Sequence, residues 1–186
     1  MTGYCFCGSF CTLERSFSAL KQLVNSGVDI LPIVSDRVYS TDTRFTRAED
    51  FIKKVEDLTG KRVIHTLVDA EPLGPAMPLD EMIISPCTGN TLAKISHGIT
   101  DTSVTMAAKA HLRCDRPLLI ALATNDAMSQ NLSNLGRMLL RKSVYFLPMS
   151  QDDPIGKPHS LVADFSRLGE AFAAMKEGKQ LRPLFL

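Results

Sequence analysis

The chain has 186 residues, of which 45% are hydrophobic and 22% charged, with a formal net charge of +1. That length supports one domain with a sizeable core, and the charge balance excludes a generally basic nucleic-acid binder. No apolar stretch approaches the roughly 20 residues of a membrane-spanning helix, and Met1-Thr2-Gly3-Tyr4-Cys5 has no charged, signal-like start, which predicts a protein that is not secreted.

Apolar runs then alternate with helical patterns along the chain. Residues 3–7 read as a first strand. Residues 12–25 read as a helix, with Leu13, Phe17, Leu20 and Val24 at helical spacing and Gly27 as its stop. Residues 28–34 form the second predicted strand, ending at Ser35-Asp36, and residues 37–46 a polar loop. A helix is expected over 48–58, ended by Thr59-Gly60, then a short third strand over 62–66. The run Glu71-Pro72-Leu73-Gly74-Pro75-Ala76-Met77-Pro78 belongs in a loop, because no helix or central strand tolerates it.

A fourth strand is expected over 80–85. Residues 90–114 read as two helical pieces broken between Gly98 and Ser103. A fifth strand over 117–123, a helix over 129–142 and a sixth strand over 144–147 follow. A loop over 151–158 and a last helix over 167–176 complete the pattern. Strands alternating with helices predict an α/β fold, a Rossmann-like or flavodoxin-like three-layer sandwich with a mostly parallel sheet of about six strands. Residues 1–186 are expected to form a single domain.

The five cysteines, Cys5, Cys7, Cys11, Cys87 and Cys114, are odd in number and uneven in spacing. They do not read as a disulfide framework, and a reducing cytoplasm is the expected setting. Cys5 and Cys7 fall in an apolar strand with no second ligand cluster, so they read as small buried residues and no metal site is expected.

Ligands of such sheets sit beyond the C-terminal strand ends. That rule selects the turns after Cys7, Val34, Ser85 and Ala123. At the first, Gly8 lets a ligand approach the backbone, and Ser9 either caps a helix or donates to phosphate. Ser35 either contacts a ligand chain or merely turns the loop. At the third, Thr88, Asn90 and Thr91 supply more polar groups than a helix cap needs, which favours ligand binding at an anion-friendly helix start. At the fourth, Asn125 and Asp126 are either substrate contacts or a turn pair. Arg44, Arg47 and Lys157 lie in or beside loops, where they are either carboxylate-binding charges or solvated surface charges. Of the scattered histidines, His97 beside Gly98 is the least easily read as structural. No Ser/His/Asp order or paired-carboxylate spacing is visible, so catalytic side chains remain unassigned.

The run from Asp80 to Asp101, with Ser85-Pro86-Cys87-Thr88-Gly89-Asn90-Thr91 inside it, resembles the signature of the flavoprotein superfamily. This superfamily contains flavin-dependent cysteine decarboxylases and flavin prenyltransferases. Ala123-Thr124-Asn125-Asp126-Ala127-Met128 resembles the superfamily's second signature, and Gly8-Ser9 its N-terminal phosphate turn. The resemblance implies FMN, with Gly8, Ser9, Phe10, Ser35, Thr88, Gly89, Asn90, Thr91 and Thr124 as cofactor-binding residues. It implies Asn125 as the residue for a substrate carboxylate, with Asp126 and Arg44 beside it as substrate-binding residues. The decarboxylases' histidine has no counterpart in Glu71-Pro72-Leu73-Gly74. Residues 151–158 stand where those enzymes carry a clamp cysteine. Decarboxylation or prenyl transfer is therefore the alternative, together with a non-catalytic subunit that keeps a relic pocket.

Ser40-Thr41-Asp42-Thr43-Arg44-Phe45, Ala70-Glu71-Pro72-Leu73-Gly74-Pro75, Thr105-Met106-Ala107-Ala108-Lys109-Ala110 and Gln151-Asp152-Asp153-Pro154 resemble, within that superfamily, the B-subunit family of dipicolinate synthases. This implies a cytoplasmic protein of the mother cell of a sporulating bacterium. Its task would be to help oxidise a dihydrodipicolinate from the lysine pathway to dipicolinate. It implies a dehydrogenase-like partner, the dipicolinate synthase A subunit, which carries the NADP chemistry, and a homo-oligomer, trimer or dodecamer.

Overall fold

A computed structural model describes residues 1–186. Its frame is a sheet whose parallel strands are β1 (Thr2–Phe6), β2 (Ile30–Val34), β3 (Glu81–Cys87), β4 (Leu118–Thr124) and β5 (Val144–Phe146). They lie in the order β2-β1-β3-β4-β5. This is the flavodoxin-like order, in which the chain reverses direction of winding between β1 and β3. Two short strands, β6 (Met149–Ser150) and β7 (Leu161–Ala163), make an antiparallel extension. β7 pairs with the C-terminal end of β4 through Ala123↔Val162 and Thr124↔Leu161. The sheet therefore has seven strands, mostly parallel, as the alternating pattern predicts, with a terminal hairpin added.

Both faces of the sheet are covered, which is why its strands are almost continuously apolar. The period-two alternation sends Tyr4, Phe6, Ile30, Val34, Ile83 and Leu119 to one core. Helices α1 (Leu13–Asn25), α3 (Ala48–Thr59) and α8 (Leu168–Lys176) pack there. Cys5, Cys7, Ile33, Met82, Ile84 and Ile120 point the other way. They meet α4 (Leu67–Ala70), α5 (Gly89–Ser96), α6 (Ser103–Leu112) and α7 (Leu132–Leu139). Leu135 and Met138 of α7 are core residues, whereas Leu139 is exposed.

The expected breaks are present. Gly27 ends α1 at φ +86°, Gly60 ends α3 at φ +67°, and Gly98 separates α5 from α6 at φ +73°, all conformations that glycine adopts without a Cβ clash. Several expectations need correction. The polar loop over 37–46 begins instead with a helix, α2 (Asp36–Ser40), because the Ser35 side chain accepts the Val38 N–H and caps it. The strand expected over 62–66 reduces to a single parallel bridge, Ile33↔Ile64. Its neighbours are engaged elsewhere: the Val63 N–H donates to Glu56, and Thr66 caps α4. Pro32 sits in β2 without harm, because its carbonyl accepts from Ile64 on the outer edge, and its missing N–H faces that same edge. The helix expected over 129–142 is shorter, because Ser129 and Asn131 donate backwards to the Asp126 carbonyl in a turn. No helix is long and apolar enough to cross a membrane.

Candidate functional site at the β1/β3 switch point

The strand order places the ends of β1 and β3 side by side where helices leave to opposite faces. A buried hydroxyl chain fixes this junction from below. The Tyr4 hydroxyl donates to the Ser16 carbonyl at 2.9 Å, and the Ser16 hydroxyl reaches the Ser85 carbonyl at 2.6 Å and its side chain at 2.9 Å. One α1 residue thereby ties β1 to β3. On the other side the Ser103 hydroxyl donates to the Val34 carbonyl at 2.6 Å and anchors α6 to the end of β2.

Two cavities open above this junction, of about 520 Å³ and about 550 Å³. They share Gly8, Phe10, Thr88 and Asn90 as common walls. The first lies between the ends of β1, β2 and β3. Ser35, Arg37, Ser40, Thr91, Lys94 and Thr102 contribute to its lining, and Phe10 is its one hydrophobic residue. The second extends from the first helical turn after β1 to the end of β4 and the loop before β7. It is lined by Ser9, Thr12, Arg15, Gly89, Thr124, Asn125 and Lys157, among others.

At the start of α5, Thr88 is the N-cap, accepting the Thr91 N–H at 3.2 Å and donating to the Thr91 hydroxyl at 3.0 Å. One hydroxyl thus meets the capping demand. The N–H groups of Gly89 and Asn90 belong to the first turn, where an α-helix supplies no acceptor, and their dipole favours an anion. The Asn90 side chain is exposed at the cavity wall. Ser9 does not cap the short helical turn that follows it; its oxygen instead accepts from Thr12 at 2.9 Å.

The two glycines at these turns differ in kind. At Gly8 a Cβ would stand 3.5 Å from Arg37 and Phe10, an ordinary contact, so no protein atom demands glycine there. At Gly89 a Cβ would fall 2.6 Å from Asn131 Nδ2 and Thr124 Oγ1 and 2.7 Å from Asp126 Oδ1. Those atoms form one network. Thr124 donates to Asp126 Oδ1 at 2.5 Å, Asn131 to Asp126 Oδ2 at 2.9 Å, and Asn134 to Asn131 at 2.9 Å. It continues through Ser96 to His97, whose Nε2 lies 2.8 Å from Arg137.

Of the residues expected to bind cofactor, Gly8, Phe10, Ser35, Thr88, Asn90 and Thr91 line the first cavity, whereas Ser9, Gly89 and Thr124 line only the second, together with the expected substrate residue Asn125. Asp126 and Arg44 line neither. Both Asp126 oxygens are consumed by the network just described, and the Arg44 guanidinium lies over Phe45, 4.8 Å from the ring centre. His97 is tied to Ser96, Ala93 and Arg137 and lines neither cavity; His65 is stacked on Tyr39 at 3.6 Å. Lys157, expected with Arg44 and Arg47 as a carboxylate-binding candidate, lines the second cavity, whereas Arg47 lines neither cavity and lies 3.9 Å from Glu49. Residues not anticipated as site residues are Arg15, Arg37 and Thr102. Nothing local in the sequence marks them, and Arg15 and Lys157 line one cavity from segments far apart in sequence.

Three thiols lie beneath the site. Burial pushes Cys7 up to about 11, against hydrogen bonds from Thr91 and the Thr88 backbone, and pushes Cys5 and Cys87 well above the ordinary value. They are neutral packing groups at physiological pH. Cys11, by contrast, is exposed at the second cavity.

Residues 3–176 match the family model described as Flavoprotein. The chain is 43% identical over 184 residues to the B subunit of dipicolinate synthase from Bacillus subtilis (strain 168), covering 99% of this chain and 92% of that one. The crystal structure of the dipicolinate synthase B subunit from Bacillus halodurans C superposes with a TM-score of 0.91 at 38% identity, covering 100% of this chain and 95% of that one. The FMN-dependent cysteine decarboxylase SpaF shares the fold, with a TM-score of 0.69 at 19% identity and 95% of each chain covered. The chain therefore belongs to the flavoprotein family and, within it, to the family of dipicolinate synthase B subunits.

Proposed function

We propose that this chain serves as the B subunit of a dipicolinate synthase and binds FMN in the first cavity. The observation that carries the cofactor reading is its donor set. Open N–H groups at the start of α5 and the hydroxyls of Ser35, Ser40, Thr88, Thr91 and Thr102 suit a phosphate on a polyol chain. Gly8, which no protein neighbour requires, leaves room for a ligand against the backbone. Phe10 offers the one apolar surface for a flat ring. When bound, flavin supplies hydride or electron chemistry that side chains cannot. The chain's own residues bind and orient.

The reaction assigned to the complex is oxidation of a dihydrodipicolinate to dipicolinate, with NADP on the partner, the A subunit. Residues 1–186 act in it as one flavoprotein-like domain, in the cytoplasm of the sporulating mother cell, as a homo-oligomer. The kinship in sequence and fold supports this assignment. Neither a histidine in the loop after α4 nor a cysteine in residues 151–158 offers the side chains of the decarboxylase route.

The purified chain is expected to take up FMN, giving an absorbance band near about 450 nm that shifts from that of free flavin. Mixed with the A subunit, substrate and NADP, it is expected to raise NADPH formation well above that of the isolated A subunit. A chain that binds no flavin removes the cofactor assignment. NADPH formation that stays the same when this chain is added removes its catalytic role.

A further inference from the structure

The second cavity has a charge arrangement that the cofactor does not explain. Its charged lining residues are Arg15, Asp152 and Lys157. Asp152 is spent: one oxygen accepts from Lys157 at 2.8 Å and the other from Ser160 at 2.6 Å, and these bonds hold its carboxyl below the ordinary value. Lys157 is neutralised by the same bond. Asp126, the other acid nearby, has both oxygens taken by Thr124 and Asn131. That leaves Arg15 as the uncompensated charge of this cavity, since none of the ion pairs of the chain involves it.

Arg15 is exposed but has an aromatic neighbour. It lies in the first turn of α1, and its guanidinium carbon stands 5.1 Å from the centre of the Phe165 ring. Phe165 is buried at 3% exposure. A cation over an aromatic face is attracted by the ring. A planar guanidinium presents a fork of N–H donors that matches a carboxylate in two parallel hydrogen bonds. The exposed amide of Asn125 lines the same cavity from the end of β4. Gly8, Phe10, Thr88 and Asn90 form the wall shared with the first cavity. A ligand on Arg15 would therefore lie beside whatever the first cavity holds.

We propose that the second cavity is the subsite for a small planar dicarboxylate and that Arg15 is its specificity-determining residue, holding one carboxylate in a bidentate pair. Asn125 donates to the same acid. The Lys157–Asp152 pair forms a neutral rim that leaves the Arg15 charge undiluted. The proposal rests on the dipicolinate synthase reading for the identity of the acid, and on the geometry alone for the role of Arg15.

The test uses the full chain loaded with FMN, with pyridine-2,6-dicarboxylate as probe. Binding is read by calorimetry. It is read independently by protection of Cys11, the exposed thiol in the cavity lining, from alkylation. The wild-type chain is expected to bind the diacid and to have Cys11 protected. Arg15→Gln is expected to weaken binding about tenfold or more and to abolish protection, with flavin uptake unchanged. Arg15→Lys, which keeps the charge and loses the fork, is expected to fall between the two. The monoacid pyridine-2-carboxylate and inorganic phosphate are expected to bind more weakly than the diacid.

Equal diacid affinity in the wild-type and Arg15→Gln chains overturns the proposal and leaves the flavin and synthase readings standing. Reduced FMN affinity in Arg15→Gln with unchanged diacid binding also overturns it, placing the guanidinium on the cofactor instead. No diacid binding to a flavin-loaded wild-type chain overturns the subsite, while NADPH formation with the A subunit separately decides the wider reading.

Discussion

Position 89 has no room for a side chain, because the Cβ of an alanine would meet three polar atoms at 2.6–2.7 Å. Those atoms cannot simply swing away, since Thr124, Asp126 and Asn131 hold one another. Gly89→Ala must therefore either push the start of α5 outward or break the Asp126 bonds. Overpacking of this kind costs about 1–3 kcal/mol, and an outward shift displaces the open N–H groups proposed to bind phosphate. The expected outcome is a lower urea midpoint together with weakened FMN uptake, read by absorbance titration. An unchanged midpoint would mean that the network yields at no cost. In the sequence, Gly89 stands between Thr88 and Asn90 and invites the reading of ligand approach. Its packing partners come from the segment after β4, and nothing local announces them. Asp126 is legible as polar and near a strand end, but that both its oxygens are consumed internally is settled only by the turn that brings Asn131 back onto it.

Among the elements, those with a long apolar period were legible and the short ones were not. β1, β3, β4, α1 and α3 fall close to their expected positions, because burial on one or both faces imposes the pattern. α2, α4, β6 and β7 have five residues or fewer and are set by a single cap or a neighbouring strand. Ser35-Asp36 did carry a start signal for α2, a capping serine followed by an acid in the first turn. The proline-rich segment is a loop as expected, but its docking was invisible. Leu73 is fully buried, and Gly74 lies so close to α6 that a Cβ would stand 2.5 Å from the Ala110 carbonyl oxygen. The obstacle is helix backbone, which cannot rotate out of the way. Gly74→Ala is expected to destabilise the protein by about 1–3 kcal/mol in urea unfolding. FMN uptake by the native fraction should stay unchanged, since Gly74 lines neither cavity. Flavin affinity that fell in step with stability would show that the α4–α6 contact reaches the site.

For the whole molecule, the sheet's burial on both faces makes its stability sensitive to alkali. The Tyr4 phenol and the thiols of Cys5, Cys7 and Cys87 all lie under the switch point with no access to water. Burial pushes the Tyr4 phenol from its ordinary 10.0 up to about 12, opposed by hydrogen bonds from Ser16 and Ser85. Burial likewise pushes Cys7 from 9.0 up to about 11. Each group is an acid that ionises sooner in the unfolded chain than in the folded one. Below the unfolded value both states keep the proton and nothing is lost. Above it the unfolded state sheds the proton first, so stability falls as pH rises and levels off only past the folded value. The window therefore runs from about pH 9, where the thiols begin, to about pH 12, where the phenol finishes, and the phenol alone accounts for about 3 kcal/mol of the loss. Urea midpoints measured across that range are expected to fall steadily in the wild-type chain. Tyr4→Phe should flatten the upper part of the fall. It should cost only about 1 kcal/mol at neutral pH, because Ser16 keeps its bonds to Ser85. A Tyr4→Phe profile parallel to the wild type up to the highest pH would place the loss on the thiols. Successive replacement of Cys5, Cys7 and Cys87 by alanine or serine would then locate it along β1 and β3, the two strands whose ends make the site.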